Sequence, residues 1–170
     1  GVYPGVGTVI QSYLYRSEQD VLNLTNDCIP IRMVKGAYQE SAQVAFPKKN
    51  EVDENYDLLT KICLDKIRQC NEPEISDDGR FPPLIAIASH DDLRISNGID
   101  YANQINLSKK NYEIQMLYGI RRDLQKKYAE LGYPVMVYVP YGTHWYPYFM
   151  RRLAERPANV WFLVSNLFRN

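Results

Sequence analysis

The sequence predicts an α/β fold built from parallel strand-helix units of the (βα)8 TIM-barrel type, with only part of the barrel present. Three observations lead there. Short apolar and β-branched runs alternate with stretches of helical periodicity along the 170 residues. The runs LIAIA and VMVYV are continuously hydrophobic, and IRMV is so apart from its arginine, as expected of parallel strands covered on both faces. No GxGxxG follows the first strand, so the usual dinucleotide fingerprint is missing and a barrel becomes the simplest arrangement of such units. A closed barrel of this class takes eight units. Only five strands can be read, so three units are expected to be missing.

Taken in order, residues 6–15 read as a strand, 18–26 as a helix and 31–34 as a second strand. A long loop with Gly36, Pro47 and a charged run leads to an amphipathic helix over 52–69, where Leu58 and Ile62, and Leu59 and Cys63, recur at helical spacing. The polar stretch EPEISDDGRFPP is an exposed connector. Strand 84–88, helix 92–104, strand 112–116, helix 120–131 and strand 135–139 follow. A last helix begins at Trp145, and Pro157 opens the final segment toward Phe168.

Lys plus Arg equals Asp plus Glu at 20 each, which removes any electrostatic case for nucleic acid or an anionic membrane. No apolar run is long enough to span a bilayer, and the first residues lack a signal-peptide pattern. The chain starts without Met and almost inside a strand. Cys28, Cys63 and Cys70 form no CxxC and there are two histidines, so reduced thiols in a cytosolic setting are expected, with no metal site.

The helix WYPYFMRRLAER carries the most unusual chemistry. Tyr148, Arg151, Arg152 and Glu155 stand at i, i+3, i+4 and i+7 and share one face. That face reads either as a solvated surface or as a carboxylate clamp, since paired guanidiniums match a carboxylate or phosphate. In barrels, catalytic groups gather at the carboxyl ends of strands. Arg32, Lys35, Ser89, His90, Gln115 and Tyr138 fall there. His90 or Asp91 could instead cap the next helix, Gln115 could bond to main chain, and Gly36 could make a turn or admit a ligand close to the backbone. Arg32 is harder to explain structurally, because a charge in an apolar strand needs a partner or a ligand.

The segments RMVKGAY, IASHD, IQMLYG, YVPYG and YFMRRLAERPAN, in this order and spacing, resemble the C-terminal half of proline dehydrogenases, close to the bacterial monofunctional type. The resemblance runs from about residue 11 to the end. It implies an FAD-dependent barrel that oxidises L-proline to Δ1-pyrroline-5-carboxylate, the first step of proline catabolism, by hydride transfer from C5 to flavin N5. It assigns Arg151 and Arg152 to the substrate carboxylate, Tyr148 and Glu155 to the same pocket, and Tyr138 to its closure. The implied flavin contacts are Gln11, Arg32 near N5, the backbone at Val34, Lys35, Gly36 and Ala37, Ser89 with His90, and Gln115 with Leu117.

It further implies a quinone-type electron acceptor, a cytoplasmic protein associated peripherally with the membrane, and residues 1–170 as the C-terminal part of a barrel whose N-terminal half comes from the same gene or a separate chain. Two other classes remain: a non-catalytic half-barrel that needs a partner chain, and a different barrel enzyme that binds a carboxylate or phosphate without flavin. In a partial sheet Val9, Ile10, Ile85, Ile87, Val135 and Val137 are not all expected to lie under helices, so the chain alone is expected to associate through its open edges.

Overall fold

The computed structural model describes residues 6–36, 40–79 and 81–143. Five strands lie parallel in one sheet: β1 (Thr8–Gln11), β2 (Ile31–Val34), β3 (Ile85–Ala88), β4 (Tyr112–Leu117) and β5 (Val135–Tyr138). Helices α1 (Ser17–Asn26), α2 (Lys49–Lys66), α3 (Asp92–Gln104) and α4 (Arg122–Glu130) follow the first four strands in turn. The strand order is β1-β2-β3-β4-β5, without reversal. A doubly wound sheet reverses its order at a switch point, whereas a barrel wall does not.

Alternation along the strands sorts their side chains onto two faces. Ile10, Ile31, Met33, Ile85, Ile87, Tyr112, Ile114 and Met116 are buried in one core with Tyr56, Leu59, Cys63 and Leu64 of α2 and Ile95, Ile99 and Ala102 of α3. Gly98 lets α3 approach closely, since a Cβ there would stand 2.9 Å from Ile87 Cδ1 and 3.3 Å from Thr60 Cγ2. The other face carries Gln11, Arg32, Val34, Ala86, Ala88, Glu113, Gln115, Leu117, Met136 and Tyr138, together with Val9.

Several sequence expectations need correction. One holds, through a single residue: of the six apolar residues not all expected under helices, Val9, 52 % exposed, lies on the other face, while Ile10, Ile85, Ile87, Val135 and Val137 share the helix face. The strands look uniformly apolar because alanines occupy much of the second face of β3. The first strand spans four residues instead of ten. Its start is limited by Pro30, which has no N–H to donate to a parallel neighbour, and its end by a turn in which Leu14 N–H bonds Gln11 O. The second helix begins earlier than expected because the Glu51 carboxylate accepts from the Lys48 N–H at 3.2 Å, and its last turn tightens into a 3-10 turn, Ile67–Cys70. It buries Leu59 and Cys63 but leaves Leu58 exposed.

The three thiols are not all reduced. Cys28 and Cys70 form a disulfide with Cα atoms 5.5 Å apart, joining the end of α1 to the turn after α2 across 42 residues of sequence. Spacing rules such as CxxC are blind to pairs that helix packing brings together. Cys63 is free and buried in the core.

Candidate active site

The second sheet face gathers much of the polar chemistry of the strands. Arg32 on β2 projects from it, with its guanidinium carbon 5.3 Å from the centroid of the Tyr138 ring on β5. That is a cation-π contact across the sheet. Arg32 Nε is buried and has no hydrogen-bond partner among the described residues. Gln115 lies on the same face and donates from Nε2 to Glu113 Oε1, two residues earlier on β4. Its amide partner is therefore a side-chain carboxylate, not the main chain. Glu113 is only 2 % exposed. Burial raises its pKa, while the hydrogen bond from Gln115 and the charge of Arg32 act against the rise.

Lys35 follows β2 but continues the parity of Ile31 and Met33, so its side chain turns toward the helices. The ammonium is 6 % exposed, pairs with Asp53 of α2 and lies 2.7 Å from Asp91 Oδ2. Burial tends to raise the pKa of both acids, yet the hydrogen bonds and charge of Lys35, with Lys49 also acting on Asp53, hold both below the usual 3.8. The side chain thus anchors the loop, and only the Lys35 backbone is left to the second face. The carbonyls of Val34 and Lys35 accept from Ser12 and Tyr13 N–H at 2.8 and 2.9 Å, which ties this loop to the segment after β1.

Gly36 has a positive φ of 111°, and a Cβ there would run into the Tyr13 ring, 2.7 Å from Cε1. Its glycine therefore serves the turn and the packing of Tyr13, with ligand approach not needed to explain it. Asp91 caps α3, its side chain accepting from Leu93 N–H. His90 does something different: its Nε2 accepts from Leu117 N–H at 2.9 Å, joining the ends of β3 and β4. An accepting Nε2 places the proton of a neutral imidazole on Nδ1. Ser89 is buried, and its hydroxyl accepts from Asp91 N–H at 3.1 Å.

The structure therefore brings Gln11, Arg32, Val34, Gln115, Leu117 and Tyr138 to one face, with His90 and Ser89 at its carboxyl edge. Ala37, Tyr148, Arg151, Arg152 and Glu155 lie outside the described residues. Two contributors were missed in the sequence. Glu113 carried a usable signal, since its i, i+2 relation to Gln115 puts both on one face of a strand. Asp53 carried none, because its partner Lys35 is reached only through the tertiary fold.

An unreversed parallel strand-helix wall with a guanidinium, an amide and a carboxylate on one face defines the class: an α/β protein of barrel type. The sequence profile described as proline dehydrogenase matches residues 2–165, and the chain belongs to that family. It is 44 % identical over 166 residues to proline dehydrogenase 2 of Bacillus subtilis strain 168, covering 97 % of this chain and 50 % of that protein. It is also 44 % identical over 164 residues to the proline dehydrogenase of Deinococcus radiodurans, covering 96 % and 48 %. The crystal structure of proline utilization A from Bdellovibrio bacteriovorus, inactivated by N-propargylglycine, matches with a TM-score of 0.76 at 31 % identity, over 91 % of this chain and 17 % of that one. The chain spans about half the length of the curated relatives it matches.

Proposed function

We propose that this chain forms the cofactor- and substrate-binding wall of an FAD-dependent proline dehydrogenase, which oxidises L-proline to Δ1-pyrroline-5-carboxylate. The observation that carries the reading is the inner face itself, where Arg32, Gln115 and Tyr138 come together within a chain of this family. The residues fit a flavin. Ala86 and Ala88 leave the middle of the face without bulk, Gln115 presents an amide, and Arg32 keeps a buried Nε without a partner among the described residues. Arg32, Gln11, Gln115, Leu117, Ser89, His90 and the backbone of residues 34–37 would hold it. When bound, it supplies the two-electron oxidant that takes hydride from proline C5.

The protein's share is binding, orientation and charge. Arg151 and Arg152 bind the substrate carboxylate through forked donors, while Tyr148 and Glu155 line the same pocket. Tyr138, held under the Arg32 guanidinium, closes it. Fixing the substrate in this way can lower the barrier by several kcal/mol, on the order of what orientation contributes elsewhere. Arg32 supplies positive charge where negative charge develops on reduction. The family resemblance supports a quinone-type acceptor reached by peripheral membrane contact. No helix among the described residues is long and apolar enough to cross a membrane.

Replacing Arg151 or Arg152 with Lys tests the reading, because a point charge cannot reproduce two forked bonds. The expected outcome, by titration of the flavin spectrum, is proline affinity weakened about tenfold or more with flavin retained. Unchanged proline affinity in both variants would reject the clamp. A second reading has its own support in the open inner face and the half-length match: the site is completed by further strand-helix units, carried on the same polypeptide or on a partner chain.

A further inference from the structure

Glu113 has no part in the assignments above, yet it is among the most deeply buried charged side chains described. Register explains where it stands. Arg32 pairs with Ala86, and Ala86 pairs with Glu113, so one row of the inner face reads Arg32, Ala86, Glu113 across neighbouring strands. The central alanine offers only a methyl group, so Arg32 and Glu113 flank it on one face, close enough for the charge of Arg32 to act on the carboxyl. Adjacent strands lie about 4.8 Å apart, so both long side chains extend into the same space.

The two oxygens of Glu113 are used differently. Oε1 accepts from Gln115, while Oε2 is buried without a hydrogen-bond partner among the described residues. Leaving a buried carboxylate half satisfied is costly, and such groups persist where they serve a site. Burial, the largest influence on it, raises its pKa, while the amide donor Gln115 and the charge of Arg32 oppose that rise. Because Gln115 donates from Nε2 to Glu113 Oε1, its carbonyl oxygen is turned away from the carboxylate.

We propose that Glu113 is a positioning residue of the flavin site, fixing the Gln115 amide with its oxygen presented to the cofactor and setting a negative charge against that of Arg32. This rests on the flavin reading above. Removing that charge would leave Arg32 uncompensated, and a more positive surrounding favours the reduced, more negative form of the cofactor.

The test is the midpoint potential of the flavin in the native polypeptide and in Glu113→Gln, which is close in shape but uncharged. The expected result is an upward shift equivalent to about tenfold in the two-electron reduction equilibrium, or about 30 mV. Bound flavin with an unshifted potential overturns the proposal. Glu113→Asp keeps the charge but shortens the reach to Gln115, so it should hold the parent potential while binding flavin more weakly; parent-like flavin affinity there overturns the orienting role even if Glu113→Gln does not fold. A parent protein that binds no flavin overturns the proposed function itself, and this inference with it.

Discussion

Lys35 is the residue whose surroundings make the clearest energetic statement. One buried ammonium serves two carboxylates on different elements, and removing it would leave Asp53 and Asp91 as like charges with little solvent. Breaking a buried pair in this way costs 3–5 kcal/mol where solvent is excluded; with Asp91 partly exposed, we expect about 3 kcal/mol for Lys35→Met by denaturant unfolding. The same pairing sets an acid limb. Both acids have folded pKa values held below the usual 3.8, so their contribution is complete above that value and is lost as pH falls through the lower folded values. Lys35→Met should therefore flatten the loss of stability below about pH 4. An unchanged acid limb in the variant would show that the carboxyls owe their depression to something else.

Among the elements, α2 is the hub of the helical layer. It buries Tyr56, Leu59, Cys63 and Leu64 against the sheet, and Arg94 of α3 reaches Asp57 at 2.8 Å. The disulfide ties the turn after α2 to the end of α1. A cross-link closing a loop of this length is worth about 4 kcal/mol in the chain-entropy account, so reduction should lower the melting temperature. Thiol labelling gives a sharper check. Cys28 is exposed and should react once reduced, whereas burial pushes the Cys63 thiol up to about 12 and keeps it unreactive until unfolding. Labelling of Cys28 in the untreated protein would show that the bond is not formed.

At the scale of the whole molecule, the sheet has an outer β1 edge with no strand beyond it among the described residues. Its inner face exposes Val9, Met136 and Tyr138 at 52 %, 38 % and 43 %. Full burial of such side chains is worth about 1.5–3 kcal/mol each, and an open parallel edge adds unpaired backbone groups. Residues 1–170 expressed alone should consequently self-associate or be rescued by a complementary barrel fragment. Sedimentation is the measurement, and a monodisperse monomer with bound flavin and proline-dependent dye reduction would refute it.

The sequence by itself determined the order and type of the elements, because hydrophobic period and capping chemistry act within a few residues. β2 and α3 were legible to the residue, and motif order identified the family. Arg32, Gln115 and Tyr138 stood out in the sequence as polar groups within apolar strands, and the structure sets all three on one face of the sheet. Only the tertiary structure decided which face each strand presents, since one residue of register exchanges the two. It moved five apolar residues under the helices, turned Lys35 away from the inner face and set Glu113 beside Gln115. The disulfide, the Asp53 and Asp91 pair around Lys35, and the His90 bond to Leu117 all join positions far apart in sequence. Their chemistry depends on distance in space, which local pattern does not encode.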